Sequence, residues 1–204
     1  LVKLDILLRE LVRNNPQSEV IVNDWGVLDL IRHKYRSLKP VLGRLLNKIL
    51  RDPRIISHIP QSAFVNYQSS SIGTDEYGKL LRNGKINRIE LDNTIQGLDN
   101  NLPNLGFALS LYIPYGLITT GRICFMGSWG LAKNEKFSAS RKSCLHNCKD
   151  YWLNLDDKTH DQKFRIRQKG NTAFYLQYNS FIKEGLEKAK DLGFDRIIYQ
   201  PLPI

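Results

Sequence analysis

Hydrophobic and polar residues recur along the chain at two different periods, and the switching between them outlines an α/β protein. In residues 1–14 the apolar positions Leu4, Leu7, Leu8, Leu11 and Val12 follow the spacing of one helix face, and Asn14-Asn15-Pro16 stops the helix. Glu19–Val22 is a short β-branched run, a buried strand by length and composition. Asn23-Asp24-Trp25-Gly26 then turns the chain, with Asp24 placed to cap a helix that runs to about Tyr35. Residues 39–43 read as the next short strand. This α-β-α-β order is the rhythm of a parallel sheet wrapped by helices.

Residues 61–78 are rich in Ser, Gln, Asn, Tyr and Gly, and read as a long loop with a short helix around 75–81. Residues 87–93 return to strand and end in the polar pair Asp92-Asn93, after which Gln96-Gly97-Leu98 makes a turn. Residues 107–112 form a buried strand, and Pro114-Tyr115-Gly116 separates them from a second one, 117–124, that leads into a cysteine-bearing loop. Beyond Cys148, residues 163–167 alternate large and basic side chains, and Gly170-Asn171 can turn a hairpin into 172–177. Residues 181–192 form a helix stopped by Gly193, and 196–199 a last strand, so the closing α-β step repeats the opening rhythm. No internal repeat, low-complexity tract or linker divides the chain, and residues 1–204 read as one domain.

Composition changes this picture in one respect. Hydrophobic content of 42% with 25% charged residues is ordinary for a globular domain, but a formal net charge of +10 and a pI near 9.6 favour anionic partners such as RNA, anionic lipid or acidic proteins. Between residues 32 and 54, eight lysines and arginines stand against one acid, Asp52, as a solvated face or as an anion-binding rim. Arg44 lies directly after the 39–43 strand, where parallel barrels collect their active sites. The longest apolar run, 107–119, is too short to span a bilayer, and no signal segment opens the chain. Both points favour a cytoplasmic protein, where thiols stay reduced. The chain opens at Leu1 and its single methionine is Met126, so a processed chain or a piece of a longer protein is expected.

The strongest chemical candidates are the three cysteines, Cys124, Cys144 and Cys148. Thiolates hold soft or borderline metals, and iron–sulfur clusters are usually held by four of them. Cys-x-x-x-Cys brings two sulfurs near one centre, Cys124 supplies a third from a strand end, and Arg141, Lys142 and Lys149 offset the charge of a thiolate-rich site. Three sulfurs leave a closed site one ligand short. His146 is placed to be the fourth ligand or a plain loop histidine, and unpaired reduced thiols are the competing reading of the whole set. No Gly-x-Ser-x-Gly elbow, His-Glu-x-x-His or Walker loop is present. His33, His58 and His160 read as surface residues, and Trp25, Tyr112 and Trp129 as core. Asp24, Glu90 and Asp92 lie near strand ends and can line a cleft, with capping and turn roles the alternative for Asp24 and Asp92.

Five blocks carry a resemblance. They are Val20-Ile21-Val22-Asn23-Asp24-Trp25-Gly26; Val41-Leu42-Gly43-Arg44-Leu45-Leu46-Asn47-Lys48; Arg88-Ile89-Glu90-Leu91-Asp92-Asn93 with Gln96-Gly97; Thr120-Gly121-Arg122-Ile123-Cys124; and Cys144-x-x-x-Cys148. In this order, over nearly the whole chain, they resemble the collagenase-like peptidase family that includes the ubiquinone-biosynthesis accessory proteins UbiU and UbiV, the UbiV-like branch above all. The resemblance implies a (β/α) TIM-barrel-like domain with an oxygen-sensitive [4Fe–4S] cluster held by four cysteines. It also implies work in oxygen-independent hydroxylation, on the ubiquinone ring or on RNA bases. Three cluster cysteines map onto Cys124, Cys144 and Cys148, and in the UbiV-like branch the fourth precedes the first matched block. Only one helix precedes that block here, so the expectation is a barrel lacking its N-terminal β/α units, either a piece of a longer protein or one completed by a homologous partner in a heterodimer. Arg44, Glu90, Asp92 and Arg122 are the candidate cleft-lining groups. Two alternative functions are a peptidase acting on collagen-like or unfolded peptides, whose catalytic residues match no motif in this chain, and an RNA-binding module suggested by basic stretches with interspersed aromatics.

Overall fold

The computed structural model describes residues 2–52, 54, 58–122, 124–136, 146–155 and 164–203. Among these, five parallel strands lie side by side in the order β1 (Glu19–Val22), β2 (Lys39–Leu42), β3 (Arg88–Asp92), β4 (Ala108–Ile113) and β9 (Arg196–Tyr199). The sheet curls into a half-barrel, and the fold class is α/β as its sequence rhythm predicts. Successive strand residues point to opposite faces, so each strand contributes to both sides of this sheet.

The outer face is apolar. Val22, Leu42, Ile89 and Leu111 are removed from water there, each contributing about 1.5–3 kcal/mol. The helix α1 (Val2–Asn14) adds Leu4, Leu8, Leu11 and Val12 to the same core, as its one-face spacing predicts, whereas Leu7, expected on that face, lies on its flank and is 67% exposed. Helix α2 (Trp25–Lys34) adds Leu28 and Ile31, and starts at Asp24, whose Oδ1 accepts the Val27 N–H at 3.0 Å. The single-turn α3 (Val65–Gln68) and the longer α4 (Asp75–Asn83) precede β3, and α5 (Asn179–Asp191) precedes β9. Leu81 of α4 and Ala189 of α5 complete the layer. None of the helices of the described residues is long and apolar enough to cross a membrane.

The inner, concave face gathers the charged and polar side chains, with Ile21, Val41 and Ile198 among them. The register aligns Glu90 with Ser110 and Arg196, and Asp92 with Tyr112 and Ile198. At the N-terminal end of the strands Arg88 reaches Glu19 (3.2 Å), Ser110 Oγ (3.1 Å) and Asp195 (2.6 and 2.7 Å), while Arg196 also pairs with Glu19.

A second, antiparallel sheet is inserted between β4 and α5. Its order is β5 (Tyr115–Thr120), β8 (Thr172–Gln177), β7 (Phe164–Lys169) and β6 (Leu153–Leu155). The Gly170-Asn171 turn joins β7 to β8, as expected. The expected 117–124 strand starts earlier and ends earlier, because Pro114 alone separates β4 from β5: it has no N–H to continue the first ladder, and Tyr115 already pairs with Leu176 in the second. Tyr175 joins the two sheets. Its ring passes over Gly116, where an added Cβ would lie 1.9 Å from it, and its hydroxyl donates to Asn93 O at 2.7 Å. Trp25 and Trp129, expected in the core, are exposed. Trp25 stands edge-on against Tyr77 beside the start of α2, and Trp129 follows a turn whose buried side chains are Met126 and Ser128.

Candidate functional site

Two groups of residues gather away from the apolar core, and they lie at opposite ends of β5. The first sits at the C-terminal ends of the parallel strands, where α/β proteins with parallel sheets collect their sites. Asp92, the last residue of β3, is almost wholly buried and accepts three hydrogen bonds: from Arg44 Nη1 at 2.8 Å, Arg51 Nε at 3.2 Å and the Leu117 N–H at 3.1 Å. Arg44 also donates to Tyr115 O (3.1 Å) and Gln200 Oε1 (3.0 Å), and its guanidinium stacks 3.7 Å from the centre of the Tyr112 ring. Arg51 donates to the carbonyls of Arg44 and Asn47, both at 2.6 Å, and so folds the segment after β2 back over Asp92. Two cations on one carboxylate, all shielded from water, make this a preorganised array, while the other six cations of the 32–54 run, read as a solvated face or an anion-binding rim, are exposed.

Glu90 lies two residues earlier on the same inner face, only 2% exposed, and its Oε2 accepts the Tyr112 hydroxyl at 3.1 Å. Burial pushes its pKa up to about 7, although the Tyr112 hydrogen bond and the nearby Arg44 charge pull the other way. Burial and the Glu90 charge together push the Tyr112 phenol up to about 12. A carboxyl group that exchanges its proton near neutrality, beside a fixed guanidinium, is equipped for acid–base work.

Beyond Asp92, a cleft of about 510 Å³ opens between residues 61–68, the 93–100 turn and α5. This is the size of a small-molecule site. The Gln96-Gly97 turn on its floor is pinned from both sides: Gln68 Nε2 donates to Gln96 O (2.7 Å), and Gln96 Nε2 donates to Leu50 O (2.7 Å) and Tyr67 O (3.0 Å). Phe64 and Phe181, neutral amides, and the charged residues Glu184 and Lys188 of α5 line the walls.

The second group lies at the far tip of the antiparallel sheet. The β7–β8 hairpin turn is its anchor. Asn171 Nδ2 donates to Gly121 O at 2.6 Å and the Gly121 N–H to Asn171 O at 2.9 Å, which fixes the chain just before Cys124. On its other side the same turn touches Cys148: a Cβ added at Gly170 would lie 3.6 Å from the Cys148 Sγ. The single turn Met126–Ser128 that follows Cys124 packs against the turn Asn147–Lys149 that holds Cys148. Cys124 Sγ accepts the Gly127 N–H at 3.2 Å, and both thiols are free and partly buried.

Comparison with protein-family models, curated proteins and solved structures finds no match for this chain. The site therefore has to be read from its own residues. Arg44, Glu90 and Asp92, named from the sequence, come together at the mouth of the half-barrel, toward the C-terminal ends of the parallel strands. Arg122 does not join them: it is exposed beyond the far end of β5, on the side of the cysteines. His146 starts the Asn147–Lys149 turn with a left-handed backbone (φ 56°) and an exposed side chain. Cys144, Arg141, Lys142 and His160 lie outside the described residues. Among the described residues no three His, Cys, Asp or Glu side chains are grouped to hold a metal ion, and Cys144 stands outside that comparison. Arg51 and Tyr112 belong to the mouth cluster, yet their sequence signals pointed elsewhere. Arg51 is one of the eight cations of the 32–54 run, which reads as a solvated face or an anion-binding rim, and Tyr112 reads as core.

Proposed function

We propose that the chain is an iron–sulfur protein in which Cys124, Cys144 and Cys148 are ligands to a [4Fe–4S] cluster, on a (β/α) TIM-barrel-like scaffold. In keeping with the resemblance to the collagenase-like peptidase family, its work is as a component of oxygen-independent hydroxylation. The observation that supports the cluster is the convergence of Cys124 and Cys148. The two are separated by 23 intervening positions, yet one hairpin turn touches both of their segments and the turns beside them pack together. The donor set fits such a group: soft sulfur ligands, partly buried, with a backbone N–H already directed at one of them. A bound cluster supplies one-electron transfer. The chain's own contribution is to present the sulfurs, to tune them through the Gly127 N–H, and to hold exchangeable protons at Glu90 in the separate mouth cluster.

Anaerobic reconstitution with iron and sulfide tests the reading. The expected outcome is a broad visible absorption with about four iron atoms per chain, which Cys124→Ser, Cys144→Ala and Cys148→Ser each diminish. A colourless protein that retains no iron after anaerobic desalting would overturn it.

A further inference from the structure

The two ends of the parallel sheet present surfaces that fit each other. At one end β1 is hydrogen-bonded to β2 alone, and at the other β9 is hydrogen-bonded to β4 alone, so among the described residues each leaves one edge of backbone donors and acceptors without a strand partner. Open edges of this kind are templates for further pairing. On the outer face, Val22 of β1 is fully buried, but Ile197 and Tyr199 of β9 are 43% and 69% exposed, and Tyr199 shares a shallow hollow with Asn179 and Ile182 at the start of α5. The exposed face and free edge of β9 would fit an amphipathic helix followed by a parallel strand. The other end of the molecule has that unit with an apolar side to spare. Asp5 of α1 faces α2 through Lys34 and Tyr35, while Leu7, on the flank away from Asp5, is 67% exposed.

We propose that a second copy of this chain docks its α1–β1 unit against β9, so that the parallel sheet runs from one molecule into the next. Both edge strands are four residues long. Aligned in parallel, first residue to first residue, they pair Arg196 with Glu19, Val20 with Ile197, Ile21 with Ile198, and Val22 with Tyr199. The face alternation agrees at every rung. The opposite charges share the inner face, as do Ile21 and Ile198, while Val20, Ile197, Val22 and Tyr199 share the outer face beneath the incoming α1. Within one molecule Glu19 already accepts from both Arg88 and Arg196, but the Glu19 and Arg196 side chains stay more than a third exposed and leave room for a further contact from the neighbouring copy. Opposite charges set side by side in one rung also select this register, because a one-residue slip would bring apolar residues to the wrong face. The contact joins two different surfaces head to tail, so it closes into a ring or continues as an open run. It stands apart from the iron–sulfur reading, since neither edge contains a cysteine.

Light scattering and sedimentation over a rising concentration series should show a mass above that of one chain. Leu7→Glu and Ile197→Lys, both at exposed positions, should each return it to the monomer while leaving the circular dichroism and any reconstituted cluster absorption unchanged. Mixing Val20→Cys chains with Ile197→Cys chains should produce a disulfide between residues 20 and 197 of different molecules, identified by mass spectrometry of the linked peptide. This readout stays decisive if a charge variant folds poorly. A monomer at every concentration, association that survives both charge substitutions, or absence of the 20–197 crosslink would each overturn the proposal.

Discussion

Glu90 carries its carboxyl into a setting that favours the proton. Tyr112, Arg44, Asp92 and Arg196 are the titratable or charged groups near it, and burial outweighs the cations among them. A folded pKa of about 7 against an ordinary 4.5 means that the folded chain keeps this proton where the unfolded chain has released it. The contribution to stability is therefore fully present below pH 4.5, is lost as pH rises toward and through 7, and levels off above that. Its full size is about 3 kcal/mol. Asp5, Glu19, Asp52 and Asp195 act in the opposite sense, since cationic partners hold all four below their ordinary values and their stabilisation is lost as pH falls. Urea titrations across the interval should thus show stability falling between pH 4.5 and 7, and Glu90→Gln should flatten that slope. Asp92 obeys a different rule. Asp92→Asn keeps the shape but leaves Arg44 and Arg51 buried without their counter-charge, and unfolding at constant pH should register a loss of about 3–5 kcal/mol.

Between elements, the contact that decides the arrangement is Gly116 beneath Tyr175. Tyr175 is fully buried, so its ring has no free volume into which to retreat from a methyl group at position 116. Gly116→Ala should cost about 2–3 kcal/mol in denaturant unfolding, with Tyr175→Phe less severe because it loses the hydroxyl bond to Asn93 O without displacing the ring. This contact was not legible in the sequence, where Pro114-Tyr115-Gly116 reads as a simple turn. Periodicity reports which face of an element is buried but not which other element covers it. The parallel half of the molecule was legible for the same reason: Leu4, Leu8, Leu11 and Val12 on α1 and the β-branched run of β1 are local patterns, and Asp24 caps α2 through a bond only three residues long. The expected burial of β1 fails, because it is an edge strand with Ile21 48% exposed. The mouth cluster falls between these cases. Arg44, Glu90 and Asp92 could be named from their places after strands, whereas Arg51 and Tyr112 join through contacts that span 41 and 22 residues and leave no mark on neighbouring positions.

Across the whole molecule, a curled sheet with two unpaired edges needs something to set its curvature, and hydrogen bonding along the ladders does not, because no ladder joins β1 to β9. The inner-face ion network supplies that tie. Arg88, in the middle strand, grips Glu19 at one edge and Asp195 beside the other, and Arg196 reaches Glu19 directly across the concavity. Arg88 itself is largely shielded, while Glu19 and Asp195 are partly wet, so the network holds the edges with a moderate free energy of about 1–3 kcal/mol. Arg88→Met would keep the bulk of the stem and remove the grip. If the ties govern curvature, amide hydrogen exchange at β1 and β9 should accelerate in this variant while β2, β3 and β4, each flanked on both sides, stay protected. Exchange that rises equally in all five strands would instead mean that Arg88 acts only on global stability. Raising salt in the parent chain should reproduce the edge-selective effect in weaker form, because the half-exposed Glu19–Arg196 pair is screened more than the shielded Arg88 contacts.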